Sequence, residues 1–133
     1  MAIMLDADVI IRGEKGTFDL QGWTASQPDT EFEIAAVTVA ELWHGVERAS
    51  GRQKITRRRY LESILALVPI VPYTEQTAYE HARIWVELES TGKRIGFYDL
   101  IVAASAVERG NSVATFNHRH FTQVRGLKVV LPK

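Results

Sequence analysis

Ala2-Ile3-Met4-Leu5-Asp6-Ala7-Asp8-Val9-Ile10-Ile11 begins as a short apolar run and meets an acid at its end. Apolar residues in unbroken succession read as a strand buried on both faces, with its carboxyl end reaching solvent at Asp6. Further along, Asp8 to Arg12 predicts a helical turn broken by Gly13 and Gly16. Phe18, Leu20 and Trp23 predict a short helix before the turn-like Gln27-Pro28-Asp29-Thr30, and Glu33 to Val37 reads as a second buried strand. Val39, Leu42, Trp43 and Val46 recur at helical spacing, so Thr38 to Ser50 reads as an amphipathic helix stopped by Gly51. A longer helix is expected from Lys54 to Val68, closed by Pro69, then an extended piece at Ile70-Val71. Thr74 opens a helix that ends at Thr91-Gly92, and Asp99 to Arg109 is a nearly all-apolar, buried helix stopped by Gly110. Ser112 to Thr115 and Lys128 to Leu131 complete the strands. Strands alternating with helical crossovers give an α/β fold whose parallel sheet is covered on both faces. Sites in such folds form at the carboxyl ends of the strands.

The 133 residues, 46% hydrophobic and 24% charged, fit one domain over 1–133 with a core of its own. With no cysteine, disulfides, thiolate metal sites and cysteine nucleophiles are excluded, which agrees with a cytoplasmic setting. The apolar start meets Asp6 and Asp8 too soon to be a signal-peptide core. No later run approaches the roughly 18 apolar residues of a membrane span, so no membrane association is expected. Sixteen basic and 16 acidic residues cancel, so the total charge attracts no polyanion. Locally the balance breaks: Arg52, Lys54, Arg57, Arg58 and Arg59 form a basic cluster.

Asp6, Glu41, Asp99 and Asn117 all stand at predicted strand-to-helix junctions. Each has a plainer role. Asp6 can end a strand, Thr38-Val39-Ala40-Glu41 has the form of a capping box, Asp99 suits the positive end of a helix, and Asn117 suits a turn. Together they place three acids and an amide along one edge of the sheet. Crowded carboxylates repel one another and are costly to desolvate, and a divalent cation removes that cost. Hard oxygen donors suit Mg2+ or Mn2+, and such an ion activates water for phosphodiester hydrolysis.

Met4-Leu5-Asp6-Ala7-Asp8-Val9-Ile10-Ile11 resembles the opening strand of PIN-domain nucleases, especially the VapC-like toxins. Thr38-Val39-Ala40-Glu41-Leu42 with Gly45 resembles their second acidic motif, and Ile95-Gly96-Phe97-Tyr98-Asp99-Leu100-Ile101-Val102-Ala103-Ala104 their third. Thr115-Phe116-Asn117-His118-Arg119-His120-Phe121, then Val124-Arg125-Gly126-Leu127, resembles the closing motif. The match keeps order and spacing from Asp6 to Leu127. It implies a single PIN-like domain with a central parallel sheet of four to five strands flanked by helices. It also implies a Mg2+-dependent endoribonuclease, usually the toxin of a type II toxin–antitoxin pair. Asp6, Glu41 and Asp99 would be the metal-binding acidic triad, Asn117 would take the fourth catalytic position, and Thr115 matches a hydroxyl residue beside it. Asp8 departs from a frequent Asn and adds negative charge near the site. His120 replaces an acid, leaving one metal position expected and a second open.

Arg57, Arg58, Arg59 and Arg119 are the candidates for RNA phosphates, the last by its place beside the predicted site. Trp43, Tyr60 and Trp85 are more aromatic surface than a core of this size hides, and an antitoxin tail is expected in a groove between the helices beginning near Thr17 and Lys54. The resemblance also implies a homodimer, and a heterotetramer or larger with a small DNA-binding antitoxin. The rival readings are weaker. Asp6-Ala7-Asp8 is similar to the nucleophile motif of haloacid-dehalogenase phosphatases, but no acidic pair stands near the last strand. Glu41-Leu42-Trp43-His44 has di-iron spacing without the second copy such a site needs, and His81, His118 and His120 are not spaced as ligands. A housekeeping RNA-processing nuclease of the same fold remains the alternative role. A degenerate RNA- or protein-binding module is the non-enzymatic one, and it would be expected to lack an acid that this chain retains.

Overall fold

The computed structural model describes residues 2–133. Five parallel strands form one sheet: β1 (Ala2–Leu5), β2 (Glu31–Ala35), β3 (Ile70–Val71), β4 (Ser112–Ala114) and β5 (Val129–Val130), ordered β3-β2-β1-β4-β5. The expected α/β fold with a parallel sheet of four to five strands is therefore present. The helices are α1 (Ala7–Lys15), α2 (Leu20–Ala25), α3 (Ala36–Arg48), α4 (Gly51–Leu65), α5 (Glu75–Ser90), α6 (Phe97–Arg109) and α7 (His118–Phe121).

Strand side chains alternate between two cores. Met4, Ala35 and Val113 face one layer with Ile84, Leu88, Val102 and Phe121, whereas Leu5, Ile34 and Ala114 face the other with Val9, Ile10, Leu42 and Leu61. Because both faces are buried, the inner strand positions Met4-Leu5, Ile34-Ala35 and Val113-Ala114 are apolar on both sides of the sheet, whereas β2 opens with the polar Glu31 and Glu33. The chain winds outward from β1 through β2 to β3, then crosses back to place β4 on β1's other side. The crevice between β1 and β4 at their carboxyl ends is thus the topological switch point, where sheets of this kind bind ligands.

Several boundaries differ from the sequence expectation. Gly13 lies inside α1, and Gly16 is the left-handed cap that ends it (φ 76°). Close packing explains Gly13: a Cβ there would stand 3.0 Å from Leu20 Cβ and 2.6 Å from the Tyr60 hydroxyl. Gly51 starts α4 rather than stopping α3, which ends at Arg48. The second strand runs from Glu31 to Ala35 and α3 begins at Ala36, two residues earlier than expected. This shift removes the capping box: Ala35 is the cap residue and no side chain caps the helix. Thr38 is instead fully buried, with its hydroxyl unpaired.

A cap residue replaced by a non-capping one costs about 1 kcal/mol, whereas deleting an unpaired buried hydroxyl is neutral or stabilising. Thr38→Val should therefore keep or raise the melting temperature. A fall of several degrees would restore the capping box.

Candidate functional site

The crevice is built around Asp6, the residue that leaves β1 and caps α1. Its backbone N–H extends the β1–β4 pairing by donating to Ala114 O at 3.0 Å. The residue is only 5% exposed. One carboxylate oxygen accepts from Ala7 N–H at 2.9 Å and the other from the Thr115 hydroxyl at 2.8 Å. Thr115, the residue after β4, accepts in turn from Asn117 N–H at 2.9 Å. Asp8 lies one step into α1 and accepts from Phe116 N–H at 3.0 Å. These bonds tie the start of α1 to the loop after β4 across the switch point.

Asp99 arrives from the first turn of α6 and Asn117 from the loop before α7. The Asn117 amide nitrogen stands 3.4 Å from Asp99 Oδ2 and 2.9 Å from His120 Nδ1, and His120 Nδ1 is 3.2 Å from the same Asp99 oxygen. His120, set aside on sequence spacing, therefore belongs to the site. The signal that could have found it is Asn117-x-x-His120, three apart on one helical turn. Glu41 projects from the second turn of α3, half-buried, and its Oε1 is buried without a partner.

Charge crowding links the acids. Burial first, then the Asp8 charge, lifts the Asp6 carboxyl from its ordinary 3.8 to about 7, against the two hydrogen bonds it accepts. Burial, then the charges of Asp99 and Asp8, lifts Glu41 from 4.5 to about 7. Asp8 is also raised, by burial above all. Among the described residues no three His, Cys, Asp or Glu side chains stand close enough together to hold a metal ion as a group. The donors present are nonetheless carboxylates that repel one another, one with an orphaned oxygen, and their chemistry fits a hard divalent cation that takes its remaining donors from water or substrate.

A family profile described as PIN domain matches residues 3–127. The chain belongs to the PIN domain family. Ribonuclease VapC1 of Rickettsia felis is 29% identical to this PIN domain over 131 residues, 98% of this chain and 96% of that protein. The tRNA(fMet)-specific endonuclease VapC of Salmonella typhimurium is 28% identical over 96 residues, 72% of this chain and 71% of that protein. A solved member of the VapBC family of toxin-antitoxin systems, VapBC-5 from Mycobacterium tuberculosis, is similar at a TM-score of 0.76 and 29% identity, covering 99% of this chain and 98% of that one.

The basic residues of this PIN domain are only partly free. Arg57 is paired with Glu14 at 3.5 Å and donates to Gly45 O at 3.2 Å, and Arg58 is paired with Glu62 at 3.7 Å. Arg59 and Arg119 are exposed, and among the described residues neither has an ion pair. Trp43 and Tyr60 are half-buried, whereas Trp85 is half exposed. No described helix is long and apolar enough to cross a membrane.

A carboxyl whose folded value exceeds its unfolded one contributes stability that is complete below the unfolded value and lost as pH rises through the folded one. For Asp6 and Glu41 that window runs from about pH 4 to about pH 7. In chelator-treated protein, Asp6→Asn should be increasingly stabilising relative to wild type across this window, by on the order of 3 kcal/mol at pH 8. Denaturant melts at pH 5 and pH 8 check it, and a pH-independent difference would contradict the crowding.

Proposed function

We propose that this PIN domain, residues 1–133 acting as one unit in the cytoplasm, is the endoribonuclease toxin of a toxin–antitoxin pair. The observation that carries the reading is the convergence of Asp6, Glu41 and Asp99 on the switch-point crevice, two of them pushed up to about 7 in the absence of a counter-charge. The carboxylates would hold a divalent ion, Mg2+ with Mn2+ able to substitute. When bound, that ion acidifies a water and neutralises charge on the scissile phosphate. The chain's own groups do the rest. Thr115 and Ala7 orient the Asp6 carboxylate, Asp8 fixes the Phe116 backbone, and Asn117 and His120 fix Asp99 at the solvent edge. Exposed Arg59 and Arg119 are the residues best able to take RNA phosphates, and Arg57 would have to release Glu14 first.

Purified protein should cleave single-stranded RNA or a tRNA pool in Mg2+ and stop on addition of chelator. Asp99→Asn should lower the rate by about a hundredfold or more while leaving the circular dichroism spectrum unchanged. Full activity of that variant would remove Asp99 from the site.

A partner groove supports the toxin reading over the housekeeping one. Leu20 of α2, Phe32 of β2, and Tyr60, Ile64 and Leu67 of α4 and its end line a cavity of about 870 Å³ between α2 and α4. Leu67 stands 82% exposed at its lip. An amphipathic antitoxin helix laid there would bury these side chains. Co-expression with the neighbouring small reading frame should give a stable complex that relieves growth inhibition, and Leu67→Glu, which disturbs no core contact, should weaken it. Harmless expression and no complex would favour the RNA-processing role.

A further inference from the structure

Asp99 Oδ2, His120 Nδ1 and the Asn117 amide form a triangle with edges of 3.2, 2.9 and 3.4 Å. In an octahedral shell with donors about 2.1 Å from the ion, neighbouring donors stand about 3.0 Å apart. The triangle therefore has the size of one face of such a shell; the Asn117 amide, which presents its nitrogen here, would turn over to bring its oxygen to the ion. It is held in place from below. Phe121, fully buried, anchors α7 beside His120, and the Asn117 N–H is fixed by Thr115. It is also reachable, since the His120 side chain is 43% exposed and that of Asp99 19%.

The chemistry of the three donors is mixed. A carboxylate and an amide oxygen are hard donors that suit Mg2+, but imidazole nitrogen is a borderline donor that favours transition ions over Mg2+.

From this geometry we infer that His120 is a nitrogen ligand of the divalent ion, sharing it with Asp99 and Asn117, and that it tilts the site away from Mg2+ towards Mn2+. The inference rests on the acidic crevice being a metal centre. It adds a residue of this chain to that centre and a preference among ions that the carboxylates alone would not impose.

Mn2+ serves as the probe because its binding is read without turnover. Loss of the free Mn2+ electron-spin signal on titration into the apo protein, with Mg2+ as competitor, gives the preference. Pulsed spin-echo modulation reports whether nitrogen is bound to the ion. Wild-type protein should bind Mn2+ tighter than Mg2+ by about tenfold or more and show nitrogen modulation. His120→Asp should keep binding, lose the modulation and bring the two ions towards equal affinity. His120→Gln, checked for an unchanged melting temperature, should also lose the modulation. Mn2+ binding without nitrogen modulation in wild type, and unchanged preference in His120→Asp, would overturn the role of His120 and leave the metal centre standing. No binding of Mn2+ at all, with or without a single-stranded RNA oligonucleotide, would remove the metal centre and the inference with it.

Discussion

A carboxylate buried at the end of a parallel strand is the constraint around which this domain is organised. Asp6 is excluded from water, and two hydrogen bonds from Ala7 and Thr115 compensate only part of its lost hydration. Burial, with the nearby charges of Asp8 and Asp99, outweighs these bonds and pushes its carboxyl up to about 7. Holding it requires β1 and β4 to be adjacent and in register, so that Thr115 arrives beside Asp6. That adjacency comes from the reversal of winding after β3, and the two apolar layers on either side of the sheet make the reversal rigid.

The second acid depends on a different piece of geometry. With α3 starting at Ala36, Glu41 falls in the second helical turn, beyond reach of the unpaired amides of the first. It therefore has no local partner. Its buried, orphaned oxygen and its repulsion by Asp99 and Asp8 leave it to face the crevice. The same register sends Thr38 into the interior. A shift of two residues thus separates a helix cap from a candidate ligand. Natural proteins accept such local costs where a site needs them.

The basic residues illustrate the converse. As a linear cluster, Arg57, Arg58 and Arg59 read as equivalent, but helix geometry gives them different neighbours. Arg57 turns inward to Glu14 and Gly45, bracing α4 against α1 and α3, while Arg58 is paired along its own helix and Arg59 is left to solvent. Exposed pairs such as that of Arg58 are worth little, so its charge stays available, whereas that of Arg57 is partly committed to structure.

From the residues alone came the parallel α/β class, the strands at Ala2–Leu5 and Ile70–Val71, the long apolar helix near Asp99, and Asp6 at a strand-to-helix junction; the same placement expected for Glu41 and Asp99 fails, because Glu41 lies in the second turn of α3 and α6 follows α5 rather than a strand. These follow from unbroken apolar runs and helical periodicity, which are local properties of the chain. The tertiary structure alone decided that Gly13 is a packing position, that Thr38 and Glu41 form no cap, and that His120 stands on Asp99. The cap is lost to a two-residue shift in the start of α3, and the other contacts join groups far apart in sequence: Gly13 with Tyr60, Asp99 with His120, Asp6 with Thr115. Their meeting is set by strand order and crossover path, which local periodicity does not encode.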